Sequence, residues 1–413
     1  MKKTIILFIG VCLICLGILN ENKKENNELY NADVINKEEN TLSMMLETEF
    51  NSGKYEETTG SSWPAEGYLF NSTLSKCKNG SSLSWDNDKK QVIFEGNTKD
   101  DCYLYFDKEP LYLYKYIKKL YTGVQGENNL YYHNSSLTNG AGDYSYRYAG
   151  SSEKTNNFVC FGYDSKDGSC PTDSLYRIIG VFDSWVKLIK WDYAKRDLLG
   201  SDGDTVGIYL YSDGEGTSKG NNSQEEIGAY YWNNSSGGNY WSYSKLNYVN
   251  LNTNYLNNIG SKWSEKIANH TWIVGGNTWE NLEDVSVSIL YKNEIINPAI
   301  DTTYESKVGL MYVSDYGYAA APSAWTTTLY DYDSSSITGI NWMYMGLNEW
   351  FITRCSNNNS WAYRINAKGN IRTYYVCFYS GSSTYAIRPT FYLNSNVTYV
   401  SGSGKKTEPI LIK

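Results

Sequence analysis

Histidine is almost missing from this chain: His133 and His270 are the only two among 413 residues. Most histidine-built metal sites, proton shuttles and catalytic triads need more than one imidazole or a well-partnered one, so the commonest catalytic tool is lost. A concentrated basic face is missing too. The formal net charge is -8 and no run of Lys and Arg is placed to neutralise phosphates, which excludes nucleic acid as a partner. Nor does any stretch gather reactive groups at a catalytic spacing.

What is abundant is tyrosine. Forty tyrosines, with many Asn, Ser and Gly, favour short strands and long polar loops over long amphipathic helices. A hydrophobic content of 41% suffices for a real core, and the length allows two or three domains. The expectation is an α+β, β-rich protein.

Met1-Lys2-Lys3 precedes an apolar run from Ile5 to Leu19, the order of an export signal, so residues 1–19 are a signal peptide or a membrane anchor. Residues 20–51, rich in Asn, Glu and Lys, are expected to be a polar tether, with a solvated helix over Thr41–Phe50 as the alternative. Residues 52–108 form a small β module whose strands run over Ser82–Trp85, Gln91–Phe94 and Cys102–Phe106. In an exported chain Cys77 and Cys102 are expected to be bonded, as are Cys160 and Cys170. Asp86-Asn87-Asp88 and Ser201-Asp202-Gly203-Asp204 invite calcium, but a full EF-hand pattern is missing and turns account for both. No cofactor is called for.

Helical spacing of Leu113, Tyr116, Ile117 and Leu120, opened by Pro110 and stopped by Gly123, predicts a linker helix over 109–123. The large domain, 124–400, begins its core with two apolar runs, Leu175–Phe182 and Trp185–Trp191, separated by the tight turn Asp183-Ser184. Helices follow over Trp241–Ile259 and after a capping Ser261, with His270 just past them at the dipole's negative end. Val308–Val313 reads as a buried strand, Asp315–Tyr344 as an aromatic-rich loop region, and residues 401–413 as a tail.

The closing segment, Trp350–Leu393, alternates like strands at its ends and carries Tyr, Trp, Asn, Ser, Gly and Arg in its middle. That mixture offers large contacts and adaptable hydrogen bonds at low entropic cost. Trp361, Tyr363, Arg372, Tyr374, Tyr379 and Tyr385 are the candidate ligand contacts, suited to sugar rings or protein hot spots. Trp350, Arg354 and Arg388 read as structural, an aromatic anchor and two guanidinium groups bonding loop carbonyls.

The order of motifs resembles an uncharacterised extracellular domain family of Firmicutes and related gut bacteria. The residues that carry it are Tyr176-Arg177-Ile178-Ile179, Trp241-Ser242-Tyr243-Ser244-Lys245-Leu246, Gly309-Leu310-Met311, Glu349-Trp350 with Arg354, and Ile387-Arg388-Pro389. The chain departs from that family's Trp-Trp-Leu-Arg-Ser-Pro and Gly-Val-Arg-Pro patterns: Cys355-Ser356 replaces Ser-Pro and Ala386 replaces Gly. The family in turn looks like the formylglycine-generating-enzyme subtype of the C-type-lectin fold. This likeness implies a C-type-lectin-like domain whose closing strands and loops present a ligand surface.

The functional expectation is a secreted or cell-surface binding protein, without catalysis, for an extracellular glycan or protein. Enzyme alternatives are a formylglycine-generating-type oxidase using Cys355 and Cys377, and a hydrolase drawing a carboxylate pair from Asp315, Asp331, Asp333 and Glu349. Cys355 and Cys377 otherwise form a third disulfide or stay thiols. The remaining alternative is an inert structural surface protein.

Overall fold

A computed structural model describes residues 4–8, 42–58, 67–86, 88–89, 91–96, 100–165, 169–201, 205–208, 227–233, 238–298, 302–332, 336–377 and 384–413. Two compact units emerge, Met1–Leu111 and Tyr112–Lys413. Both are β-rich, and the short helices of the described residues lie in the second.

The first unit contains β1 (Thr4–Phe8), β2 (Leu42–Glu47), β3 (Tyr55–Glu57), β4 (Tyr68–Phe70), β5 (Lys76–Cys77), β6 (Ser82–Asp86), β7 (Gln91–Glu95) and β8 (Cys102–Lys108). One sheet runs β1-β7-β6 and the other β3-β2-β8-β4, with β5 also on β8. Leu83, Trp85 and Val92 from the first sheet pack with Met44, Leu104 and Phe106 from the second. Cys77 is bonded to Cys102, its register partner across β5 and β8.

The expected tether is corrected at its end. Leu42–Glu47 is neither tether nor helix but a core strand parallel to β8, because Leu42, Met44 and Leu46 supply the alternating apolar side chains a strand buries. The apolar run that begins at Ile5 lies mostly outside the described residues. Among those described, no helix is long and apolar enough to cross a membrane. Asp86 Oδ1 accepts the backbone N–H groups of Asp88 and Lys89, so this acidic cluster is tied up in its turn.

The second unit is built on a sheet of β9 (Leu130–Tyr132), β10 (Tyr146–Tyr148), β11 (Phe158–Cys160), β12 (Leu175–Phe182) and β13 (Trp185–Lys190). Beyond them come β14 (Thr205–Ile208), β15 (Gly228–Tyr230), β16 (His270–Ile273), β17 (Thr303–Ser306), β18 (Val308–Gly309), β19 (Glu349–Arg354), β20 (Trp361–Ile365), β21 (Ile371–Tyr375), β22 (Thr390–Leu393), β23 (Tyr399–Ser401) and β24 (Leu411–Ile412). The main sheet runs β18-β22-β13-β12-β10-β9, with β11 also on β12. A separate sheet runs β19-β20-β21.

The hairpin of β12 and β13 falls where the two apolar runs place it, with Asp183 at a positive φ of 54° in the turn. Its register shifts between Ile178 and Gly180. There the strand passes so close to β10 that a Cβ on Gly180 would sit 2.4 Å from the Tyr146 carbonyl, so only glycine fits. The second disulfide, Cys160 to Cys170, clips the β11 end.

Several expectations are corrected here. The helix Leu113–Lys119 is no free linker, since Leu113 and Ile117 are buried in the core of this unit. The Trp241–Ile259 stretch divides into a 3-10 turn Trp241–Tyr243, a π-helical Leu246–Tyr255 and a short α-helix Leu256–Asn258. Ser261 opens the next helix, behind Gly260, without capping it. Val308–Val313 is a strand only at Val308–Gly309; Asp315 then caps the helix Val313–Ala319 by accepting the Tyr312 N–H, turning the expected loop helical. The tail is part of the fold, because Ile410 exchanges backbone bonds with Phe158 and Cys160. Most of the Gly200–Gly238 loop lies outside the described residues.

His270 begins β16 instead of serving a helix end, its ring 3.9 Å from that of Tyr392. Burial first, and then the Lys187 charge, pull its imidazole down to about 4. An unfolded chain takes up this proton near pH 6.5, so between the two values the unfolded state binds more protons and stability falls as pH drops. We expect His270 to contribute a loss of about 1–2 kcal/mol between pH 7 and pH 5 in denaturant titrations. His270→Phe should flatten that slope; an unchanged slope would mean the imidazole is not held neutral.

Candidate functional site

The six proposed contact residues do not share a surface. Strand register pairs Trp361 with Tyr375 and Tyr363 with Thr373, while Ala362 faces Tyr374 and Arg364 faces Arg372. Side chains alternate along a strand, so Trp361 and Tyr363 lie on one face and Arg372 and Tyr374 on the other. Tyr363 is fully buried and its hydroxyl donates to the Thr278 carbonyl at 2.6 Å. Tyr385 is also buried, its ring 4.6 Å from that of Trp350. Both are corrected from contact to core. Arg372 lies 3.4 Å over the Tyr330 ring and donates to the Tyr330 carbonyl. Trp361 and Tyr374 are half-buried, and Tyr379 lies outside the described residues.

The structural trio divides. Trp350 is buried and its indole N–H donates to the Tyr230 carbonyl at 2.9 Å. Arg388 makes a two-point contact with Glu349 at 2.7 and 2.8 Å and also reaches the Met343 carbonyl. Arg354 behaves differently. It lines an open cleft of about 680 Å³ together with Asn239, Tyr240, Thr302 and the run Cys355–Asn359.

Each wall of this cleft has a local cause. β19 is buried along its whole length, which fixes Arg354 at its end. A Cβ on Gly276 would lie 1.8 Å from the Arg354 carbonyl, so glycine lets the neighbouring chain press against that strand. The opposite wall hangs on one amide: Asn239 Nδ2 donates to the carbonyls of Cys355, Asn358 and Trp361 at 2.8 to 2.9 Å. Asn233 in turn donates to the carbonyls of Gly238 and Tyr240. The loop after β19 is thereby held in one shape. Asn357 adds a hydrogen bond to Glu280 at 2.9 Å and accepts, at the edge of bonding distance, from the Trp279 N–H.

Exposed aromatics stand at or near the cleft. Tyr240, which lines it, is 47% exposed. Tyr243, its ring 6.0 Å from that of Tyr240, is 63% exposed, and Trp279, whose backbone N–H meets Asn357, is 41% exposed. The Arg354 guanidinium sits 5.4 Å from the Tyr240 ring centre, and Nη2 donates to Thr302 Oγ1 at 2.9 Å. Burial pulls this guanidinium below its ordinary value, and Tyr240 opposes the shift.

Reactive chemistry finds little support in this arrangement. Cys355 and Cys377 are not bonded to each other, which corrects the third-disulfide reading. Burial pushes both thiols up, and a protonated thiol is a poor nucleophile. Of the candidate carboxylates, Asp315 is paired with Lys187, Glu349 with Arg388, and Asp331 accepts from Thr328; Asp333 lies outside the described residues. None of those described lines the cleft. Among the described residues no group of three His, Cys, Asp or Glu is placed to hold a metal ion.

The sequence reading missed Tyr240, Trp279, Asn239 and Thr302, and gave Arg354 only a scaffold role. Tyr240 and Tyr243, three apart and interrupted by the buried Trp241, were the legible sign of an aromatic edge turned outward. Comparison with family models, curated proteins and solved structures finds no match to this chain. The case for function therefore rests on the cleft itself.

Alkylation of the native chain without reductant should label Cys377, which is partly exposed, before Cys355, and should leave Cys77, Cys102, Cys160 and Cys170 unlabelled. Peptide mapping by mass spectrometry reads the order. Fast labelling of Cys355 would contradict the buried thiol.

Proposed function

We propose that this chain is a secreted or surface-anchored binding protein whose ligand, a glycan or a protein, docks in the cleft between Tyr240 and the Cys355–Asn359 loop. One observation carries the reading: a cleft lined by polar side chains and the exposed Tyr240 is backed by buried elements. Rigid support of a polar, aromatic surface is what binding sites need, since a preorganised surface has less entropy to lose on association.

Export is supported by the charged-then-apolar start of the sequence and by two disulfides, which persist in oxidising compartments. A C-type-lectin-like second unit is supported by the mixed α+β build, by β22 closing between β13 and β18 after the loops, and by the order of motifs shared with the extracellular domain family. In that reading the closing strands are scaffold and the loop after β19 is the presenting surface. Cys355, the thiol at the cleft, is buried and its pKa is raised, so binding is the favoured reading over thiol chemistry.

Single alanine substitutions test the placement. In a screen of glycans and surface proteins, Tyr240→Ala and Trp279→Ala should each weaken binding by about tenfold, the scale of a lost aromatic contact. Arg372→Ala and Tyr374→Ala should leave it within about twofold. The reverse pattern would move the site to the far face of β21.

A further inference from the structure

Four other arginines of the second unit are buried or nearly so, and they show how this fold treats a guanidinium out of water. Arg147 donates to Asp143 at 2.6 Å and lies 3.8 Å from Asp315. Arg388 has Glu349. Arg177 lacks a carboxylate, yet it is saturated by Asn157 Oδ1, Ser152 Oγ and the Thr155 carbonyl at 2.6 to 2.8 Å, with Phe158 and Trp342 over its faces. Arg364 has Asn348 Oδ1 at 2.6 Å and lies against the rings of Tyr374 and Tyr385, outside the cleft.

Among the described residues Arg364 Nε is buried without a partner, as Arg354 Nε is, so Arg354 is set apart by its place: it lines the cleft. It is only 4% exposed, yet its guanidinium makes one hydrogen bond among the described residues, to Thr302, and its Nε is buried without a partner. A guanidinium carries five N–H donors in a planar fork that matches a carboxylate, and leaving such donors dry and unpaired is costly. Among the described residues no carboxylate pairs with Arg354, and the end of its guanidinium that faces the cleft is where an acceptor would dock.

Resting on the reading of the cleft as the binding site, we infer that its ligand is a carboxylate-bearing saccharide whose acid group is held by Arg354. The surroundings select the class. Among the described residues no lysine and no second arginine lines the cleft, and the Glu280 carboxylate is bonded to its Asn357 wall, so the single guanidinium balances one negative charge and would leave a doubly charged phosphate in excess. The Tyr240 ring beside Arg354 offers a flat face to a sugar ring. Ser356, Asn357, Asn358 and Asn359 supply amide and hydroxyl groups for sugar hydroxyls.

The test titrates the full chain with oligogalacturonate and sialyllactose, with the methyl esters of both, and with an acetylated peptide ending in a free carboxylate, all read by calorimetry. At least one acid should bind about tenfold or more tightly than its ester, and Arg354→Gln, checked for folding by thermal melting, should remove that preference. Because the ester comparison uses the unaltered protein, a misfolded variant does not rescue or sink the inference. Equal binding of acid and ester, both weakened by Tyr240→Ala, overturns the carboxylate anchor and leaves the cleft as the binding site. Peptide binding as tight as that of the saccharides overturns the saccharide class. Absence of binding by both acids overturns the inference outright, while the wider screen of glycans and proteins decides the cleft separately.

Discussion

A lysine in the middle of a core strand must find a counter-charge, and Lys187 finds Asp315. Its Nζ lies 2.6 Å from Asp315 Oδ2, both side chains are buried, and Tyr312 and Tyr392 approach the ammonium at 4.2 and 5.2 Å. Burial pulls the Lys187 ammonium below its ordinary value while Asp315 opposes the shift. Because Asp315 also accepts the Tyr312 N–H, the one pair joins β13 to the start of the helix Val313–Ala319. Breaking such a pair leaves an uncompensated charge at a cost of about 3–5 kcal/mol, so sheet and helix hold one geometry or neither.

From that joint the order passes to the cleft. The Val313 and Ser314 N–H groups at the same helix start donate to Glu294, which also accepts from Thr353 on β19. Burial pushes the Glu294 carboxyl up. The residue after Thr353 is Arg354. A chain of buried polar contacts thus runs from the main sheet through the helix start to the strand that ends at the cleft.

Much of the β framework was legible because alternation and turn chemistry are local: the β12–β13 hairpin, β6, β7 and β8, and both disulfides follow from residues close in sequence or from a simple cysteine pairing. The helical pieces were less legible. Val308–Val313 has the apolar run of a strand, but Asp315 caps a helix at Tyr312, and that competition is decided by Lys187, more than a hundred residues away. Tyrosine misled most. Tyr363, Tyr385, Tyr176 and Tyr312 look like binding residues in composition, yet they are core posts: the hydroxyls of Tyr363, Tyr176 and Tyr312 meet the Thr278 carbonyl, the Tyr255 hydroxyl and the Ile273 N–H, and the Tyr385 ring packs on Trp350. Which tyrosine faces water depends on strand register and on distant packing, and neither is written in composition. Arg354 was visible as a conspicuous arginine; that it has no counter-charge among the described residues is a fact about its neighbours in space.

In the proposed function, ligand meets the chain at Gly238–Tyr240 and Arg354–Asn359. Amide hydrogen exchange with and without a bound glycan or protein ligand tests it most directly. Exchange should slow at Asn239, Tyr240 and Ser356–Asn359 and stay unchanged along β21. Protection confined to β21 and Tyr330, with the cleft amides unaffected, would contradict the claim.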